Sequence, residues 1–380
     1  MSSRVEIEPC RSPRRFLAAQ RAFYRGDPDW VPPLLLAEAG KLDPRKAPFF
    51  EHARAGFFLA RRDGAIVGRI STCRDAAHDA FHGDRIGFFG HFEAMDRAAS
   101  DALLDHARAW LRAQGATAMR GPVDLSTNHR CGLLIEGDPG PPFVMMPHNP
   151  PHYRDFLEGY GLEPAKDLLA LRMLGPELEL ERLERIAARA RERLGVTTRR
   201  LDVRRFAAEV RTLWQLYNRI WERNWGFVPM SEREFAAEAH AMKAILRPAL
   251  TTIVERDGTA IAFAIGLPDV NLAIRACDGR LLPFGWFRML ATLRRVRRFR
   301  TMMLGVLPEE RRNGVDAVLL HDFIAVGLAN GWPDCEASWV LEDNVAMLRP
   351  LLRAGGRIHR RYRIYEMPLP GAADPPPRGR

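Results

Sequence analysis

The chain has 380 residues, 47% of them hydrophobic, and a formal net charge of +10; that is enough for two ordinary domains and suits an anionic partner such as a phosphate-bearing cofactor or an acidic lipid surface, while nucleic acid is set aside because no binding motif accompanies the charge. No run approaches the ~18 uninterrupted apolar residues of a membrane span, and Met1–Arg15 lacks the apolar stretch of a signal peptide, so a cytoplasmic protein is expected. Cys10, Cys73, Cys131, Cys277 and Cys335 lie far apart and suggest neither a zinc site nor a disulfide framework.

In chain order, the first ten residues read as irregular. Residues 16–25 form a short amphipathic helix, broken by Asp27-Pro28 and Val31-Pro32-Pro33. A hairpin follows at 57–72, then an apolar strand from Ile86 to Ala94. Residues 99–113 read as a helix capped by Ser100, with Leu103, Leu104, Ala107, Trp110 and Leu111 on one face and Gly115 at its end. A strand at 117–123, a short helix from Asn149 to Gly161 and a strand at 166–173 complete the first half. Gly175-Pro176 marks a boundary between a module at 1–175 and a second at 176–369. The second opens with a charged helix, Glu177–Leu194. It continues with a helix at 204–223, a hairpin at 250–266, a helix at 284–297 and a strand at 301–307. After a loop at 308–314 come a helix at 315–329, a strand at 335–341, a helix at 344–354 and a strand at 360–367. The Pro/Gly/Arg-rich tail, 370–380, is expected to be disordered.

The two halves look like one module used twice. The spacing from turn glycine Gly64 to Gly258 and that from Asn149 to Asn344 agree to within one residue. A period this long indicates duplicated domains, not a solenoid.

The junction Thr301–Leu320 carries the clearest chemical signal. A strand ends at Leu307, a loop holds Arg311, Arg312 and Gly314, and an amphipathic helix begins. Such a junction aims free N–H groups and the positive end of a helix dipole at one spot. Gly314 permits close backbone approach to a pyrophosphate, and the arginines add charge-assisted contacts. Downstream lies Glu342-Asp-Asn-Val-Ala-Met-Leu-Arg-Pro-Leu-Leu-Arg-Ala-Gly-Gly-Arg357. Together these segments resemble the GNAT superfamily of acyl-CoA-dependent N-acyltransferases. The resemblance implies an α/β fold of tandem GNAT-like modules, with mixed twisted sheets flanked by helices. It assigns Arg311, Arg312 and Gly314 to the coenzyme A pyrophosphate and backbone groups at Val306 and Leu307 to the thioester carbonyl. Acyl-CoA would be a co-substrate, with no cofactor permanently bound. Asp316 stands where the superfamily loop has a second small residue, which leaves an acyl carrier protein as an alternative donor. The corresponding first-half segment, Asp96–Asp101, lacks the glycine, so that half is expected not to bind a donor.

A more specific set of segments runs the length of the chain. It includes Pro48-Phe-Phe-Glu-His52, His78-x-x-Phe-His82-Gly, Gly87-Phe-Phe-Gly90-x-Phe-Glu93, Arg120-Gly-Pro-Val-Asp-Leu-Ser-Thr-Asn128, Tyr217-Asn-x-x-Trp221-x-x-Asn-Trp225-Gly-Phe-Val-Pro229 and Pro268-Asp-Val-Asn271. This set is similar to a two-module bacterial GNAT family that includes the bacterial ceramide synthases. The resemblance implies N-acyl transfer from acyl-CoA or an acyl carrier protein to the amine of a sphingoid or other long-chain base. Within it, Glu342 is the first candidate for general base, with Asn344 beside it, and Asp269 and Asn271 orient the amine. Tyr217, Asn224, Trp225, Glu93 and Asn128 are candidates for the acceptor site. Acetyl transfer to a small soluble amine, or acyl-CoA or lipid binding without catalysis, remain as alternatives.

The segment 284–300 places aromatic and aliphatic residues before a run of arginines. It fits either a helix at the anionic inner face of a membrane or one packed through Phe284, Phe287, Leu290 and Val296. His78 and His82 have zinc-ligand spacing, but no acidic or cysteine partner completes a convincing ligand set, so no metal is expected.

Overall fold

The computed structural model describes residues 4–370; from Gly371 on, the tail lies outside the described residues. The first half runs β1 (Glu6–Pro9), α1 (Pro13–Ala18), α2 (Leu35–Lys41), β2 (Ala53–Arg62), β3 (Ala65–Asp75), α3 (Ala76–His82), β4 (Ile86–Ala94), α4 (Arg97–Ala113), β5 (Ala118–Gly121), β6 (Leu133–Gly137), α5 (Tyr153–Tyr160) and β7 (Glu163–Leu174). The second runs α6 (Leu180–Leu194), β8 (Val196–Arg199), α7 (Phe206–Trp221), α8 (Glu232–Met242), β9 (Thr251–Arg256), β10 (Thr259–Pro268), α9 (Asn271–Ala276), α10 (Gly285–Leu293), β11 (Arg298–Val306), α11 (Val315–Ala329), β12 (Asp334–Leu341), α12 (Val345–Arg353) and β13 (Arg357–Pro368).

The strands form one continuous sheet in the order β1-β2-β3-β4-β5-β13-β7-β12-β11-β10-β9-β8, with β6 also paired to β13. The order is a palindrome, as a duplication predicts, with one exchange. The last strand of the chain lies beside β5 of the first half, and the last strand of the first half lies beside β12 of the second. Both hairpins turn on Asp-Gly pairs with positive φ at both residues, Asp63-Gly64 and Asp257-Gly258, the geometry that matches strand twist. Among the described residues, only β4–β5 and β11–β12 run parallel.

Each half has its core helix. On α4, Leu103, Leu104, Ala107 and Leu111 are fully buried. Its N-cap is Asp96, whose side chain accepts the Ala99 N–H, and not Ser100, which is buried one turn later. Its counterpart α11 is apolar on all sides because α6 covers the face turned away from the sheet. The arginine run is divided differently from the sequence expectation. Helix α10 ends at Leu293, and Arg298 and Arg300 belong to β11. Pairing with β10 and β12 overrides the basic helical reading there. Elements β1, α3, β6, β8 and α8 had no clear sequence signal. No helix among the described residues is long and apolar enough to cross a membrane.

The halves are joined by polar contacts as well as strands. His52 Nδ1 lies 2.8 Å from Asp75 Oδ1, and its Nε2 lies 3.0 Å from Glu234 Oε1 across the joint. Glu234 also closes the capping box of α8 with Ser231. The two carboxylates push the His52 imidazole up to about 10, and Glu234 is held below its usual range by His52 and Ser231 despite burial. The imidazolium therefore stabilises the joint fully below about pH 6.5, the ordinary histidine value, and that contribution is lost as pH rises through 10. Glu234 contributes above its ordinary value and loses its contribution as pH falls through its lowered one. His52→Gln should destabilise the protein by about 1–3 kcal/mol at pH 6, with the difference shrinking towards pH 10. Denaturant unfolding of both proteins at the two pH values checks this, and an equal difference at both would refute the charged bridge.

Candidate active site

Each parallel pair is short. β4 and β5 pair over Ile86–Phe88 and Ala118–Arg120, and β11 and β12 over Arg298–Thr301 and Asp334–Ala337. Beyond those residues the strands diverge and leave a wedge. In the first half, backbone fills it. The Val123 N–H donates to Phe89 O at 2.7 Å, and Asp124 Oδ1 accepts the His91 N–H at 2.6 Å. A Cβ on Gly90 would collide with the Val123 carbonyl.

In the second half the wedge opens into a pocket of ≈ 240 Å³. Met302 and Met303 of β11 face Trp339 and Leu341 of β12 there. Phe206, Val210, Leu213 and Tyr217 of α7, with Phe235, Ala239 and Met242 of α8, form an apolar wall. The first half supplies Thr127, Asn128, His129 and Arg130. These are held by the second: Thr127 Oγ1 donates to Gly226 O, Asn128 Nδ2 donates to Val228 O at 3.0 Å, and Tyr217 Oη donates to Asn128 Oδ1 at 2.7 Å. The pocket is thus a mostly apolar space with a few convergent polar groups, the usual composition of a ligand site.

Two of those polar groups have reactive character. The Nδ1 of His129 is 2.9 Å from Ser126 Oγ. Burial is the main cause that holds its imidazole below the ordinary histidine value, partly offset by Glu238. A neutral base is therefore available at neutral pH. Arg300 is buried, with Nε to Ser338 Oγ at 2.8 Å, Nη2 to Ser338 O at 3.1 Å and Nη1 to Val144 O at 3.2 Å. Its guanidinium lies 5.1 Å from the Trp339 ring centroid. These bonds use three of the five N–H donors of an arginine. Neither residue stood out in sequence. His129 follows directly on the Arg120–Asn128 segment, whereas Arg300 was concealed in the arginine run.

The structure brings Tyr217, Asn128, Asn224 and Trp225 together around this pocket. Glu93 lies elsewhere: it is buried in the first half, accepting from Gln20, Arg69 and Tyr153, and burial raises its pKa. Asp269, Asn271, Glu342 and Asn344 do not line the pocket. Asp269 is fully buried against Arg298, with 2.6 Å between Oδ2 and Nε, and desolvation pushes it up to about 6 in spite of that partner. The Asn271 amide donates to Pro142 O and Phe143 O and so ties α9 to the first half. Glu342 is exposed and accepts the Asp167 N–H at 3.1 Å. Asn344 caps α12 by accepting the Met347 N–H.

At the far end of β11, Val306 and Leu307 are buried, and the Leu307 N–H donates to Ile261 O at 3.0 Å. Arg311 turns back onto the carbonyls of Val306 and Ile220, at 3.1 and 2.7 Å, which fixes the loop to the end of α7. Burial, reinforced by Arg223, lowers the Arg311 pKa. Arg312 is exposed, with φ 66°. Gly314 is required by the fold itself. Its φ is 92°, and a Cβ would sit 2.8 Å from the Ala190 Cβ of α6. In the first half the matching helix N-terminus is filled by the Asp96 carboxylate, which is paired to Arg62 at 2.6 and 3.0 Å.

Two splayed modules in one sheet, one of them open beside a strand–loop–helix junction, define a tandem GNAT acyltransferase. A tandem GNAT protein from the clavulanic acid biosynthesis pathway superposes with a TM-score of 0.58 at 13% identity, covering 97% of this chain and all of that one. A GCN5-related N-acetyltransferase from Sphaerobacter thermophilus gives 0.52 at 13%, covering 96% of each chain. The chain is 37% identical over 361 residues to Protein YghO of Escherichia coli (strain K12), covering 93% of this chain and 92% of that one. It is 35% identical over 380 residues to the bacterial ceramide synthase of Caulobacter vibrioides, covering 96% and 98%. No protein-family model matches. The chain belongs to the two-module GNAT acyltransferase family that includes the bacterial ceramide synthase.

The double requirement at Gly314 has a measurable consequence. Gly314→Ala should lower stability by about 1–3 kcal/mol through backbone strain and overpacking. Adding Ala190→Gly should recover the packing part and leave the strain. Thermal unfolding of the single and double variants checks both, and a fully additive pair would contradict the contact.

Proposed function

We propose that the protein transfers a fatty acyl group from a thioester donor to the amine of a sphingoid or other long-chain base. The observation that carries this reading is the apolar pocket between α7, α8 and the β11–β12 wedge. An acetyl group would leave most of it empty, which favours a long alkyl chain over the acetylation of a small soluble amine. The donor, acyl-CoA or acyl carrier protein, would approach along β11 from the loop at 308–314. There the N–H groups of the first turn of α11 and the cations Arg311 and Arg312 attract phosphate.

In this reading His129 takes the proton from the ammonium form of the acceptor. The amine nitrogen attacks the thioester carbonyl to give a tetrahedral intermediate. Arg300 faces the oxygen that gains charge. The C–S bond then breaks, the thiolate leaves with the proton returned by the imidazolium, and the nitrogen gives up its second proton to solvent to leave the neutral amide. Tyr217 and Asn128 hold the acceptor at the polar end of the pocket. Asp269, Asn271, Glu342 and Asn344 act through structure by fixing the joint and α12. The tests follow two coordinates of the pocket. His129→Gln should lower kcat by about 10²–10⁴ and remove the acidic limb of the pH–rate profile. Ala239→Phe should reduce the preference for a sixteen-carbon over an eight-carbon acyl donor by about tenfold or more. Mass spectrometry of the N-acylated long-chain base reads both; unchanged chain-length preference would sink the acyl-pocket assignment.

The segment leading into α10 supports a lipid acceptor. Leu282, Phe284, Trp286, Phe287 and Leu290 are exposed, Leu282 to 82% and Phe284 to 76%, whereas Val296, beyond the end of α10, is buried. Arg280, Arg288, Arg294 and Arg295 accompany them in sequence. Apolar side chains together with arginines match an anionic bilayer surface. Phe284→Ser combined with Phe287→Ser should weaken cosedimentation with vesicles of anionic phospholipid by at least about tenfold. Undiminished sedimentation would remove membrane contact from the reading.

A further inference from the structure

Helix α3 and the turn after it gather a set of polar atoms that hydrogen bonding leaves unused. His78 is fully buried, and neither of its ring nitrogens has a hydrogen-bond partner. Its Nδ1 lies 3.2 Å from Asp84 Oδ1 and 4.0 Å from Asp79 Oδ1. Both carboxylate oxygens are themselves buried and without a hydrogen-bond partner. The shorter approach is within hydrogen-bond range, yet its orientation makes no bond. Four buried polar atoms of three neighbouring side chains remain unsatisfied together, which folded proteins avoid because each costs about 1–3 kcal/mol. One imidazole nitrogen and two carboxylate oxygens within 4.8 Å of one another have a different natural partner. An ion with ~2.0–2.2 Å bonds in tetrahedral geometry spaces its ligand atoms roughly 3.3–3.6 Å apart, and the observed separations bracket that value.

We propose that His78, Asp79 and Asp84 bind one divalent transition-metal ion of the zinc class. A mixed imidazole and carboxylate set favours such an ion over magnesium or calcium, which prefer oxygen alone. Arg74 holds the other oxygen of Asp79 at 2.5 Å and leaves Oδ1 directed at the cluster. The sequence hides this set because the i, i+4 histidines point to His82 as the second ligand. In the fold the His82 ring packs against that of His78, with centroids 4.4 Å apart, and its Nε2 is used in donating to Phe227 O at 2.8 Å.

The site is separate from the acyl pocket but adjoins its wall. Phe227 lines the pocket and packs against Phe81 of α3, with ring centroids 5.7 Å apart. An ion pinning α3 would stiffen that wall from behind, a structural role that needs no contact with substrate.

The test uses the full-length protein, stripped with a chelator and dialysed against micromolar Zn²⁺, with metal content measured after desalting. About one equivalent should remain on the wild type, and Co²⁺ in its place should give visible absorption bands of a low-coordinate site. Asp84→Asn changes a partly exposed turn side chain and keeps the fold, and it should reduce retention at least tenfold. His78→Gln should do the same. Thermal unfolding should show Zn²⁺ raising the midpoint of the wild type but not of Asp84→Asn. Retention below about a tenth of an equivalent by the wild type, or undiminished retention by Asp84→Asn, would overturn the site.

Discussion

The pairing of β7 with β13 at the centre of the sheet is the constraint on which the rest depends. It runs from Arg357 opposite Arg172 to Glu366 opposite Glu163. Because the chain exchanges these strands, neither half can complete its sheet alone. Strand periodicity makes the exchange consequential. On β7, Leu169, Leu171 and Met173 enter the core of the second half, while Leu168 and Ala170 enter a core of the first together with Tyr362 and Ile364 of β13. One strand thus serves two cores by alternation. Arg361 and Arg363 close on Asp167 across the pair and hold that carboxyl below its ordinary value against the penalty of burial. The two modules therefore share one continuous sheet, although the sequence divides near Gly175.

The pocket is a product of that joining. Its apolar wall belongs to α7 and α8, and its polar end belongs to the first-half loop at 126–131. That loop is the continuation of the segment that closes the first wedge. Once Val123 and Asp124 bond to β4, the chain emerges directed at the second half, where Gly226 and Val228 receive it. Loss of one cleft and construction of the other are two consequences of the same local geometry. This accounts for a duplicated fold with one wedge closed and the other open.

Most of the fold was legible in sequence because it depends on local signals. The Asp-Gly turns, the apolar run Ile86–Ala94 and the amphipathic α4 each announce themselves within a short window. The loop and α11 did so with matching boundaries. The site was less legible because its residues meet only through the strand exchange. His129, Glu238 and Arg300 are far apart in the chain, and none departs from its local context. Arg300 sits in a basic run whose helical reading is broken only by pairing with β10 and β12. Glu342 and Asn344 are polar residues at a strand end. That is also where cap and turn residues occur, and their hydrogen bonds are of that kind. Tyr217, Asn224 and Trp225 were easier to group because α7 and the loop after it keep them close in sequence.

The two helix N-termini differ more sharply than their sequences do. A helix N-terminus attracts an anion only where its N–H groups are not already satisfied by a carboxylate of the chain itself. In the first half Asp96 supplies that carboxylate, and Arg62 holds it in place. In the second half Gly314 occupies the cap position and offers no side chain, because α6 leaves room for none. The neighbouring acids are neutralised: Glu309 pairs with Arg219 at 2.6 Å and Glu310 with Arg256 at 2.7 Å. Arg223 stands close enough to Arg311 to lower its pKa, so the junction carries excess positive charge before any donor arrives. Asp316 opposes that field from the first turn of α11. Its carboxylate is one charge against Arg223, Arg311 and Arg312, and the balance at the loop still favours a phosphate.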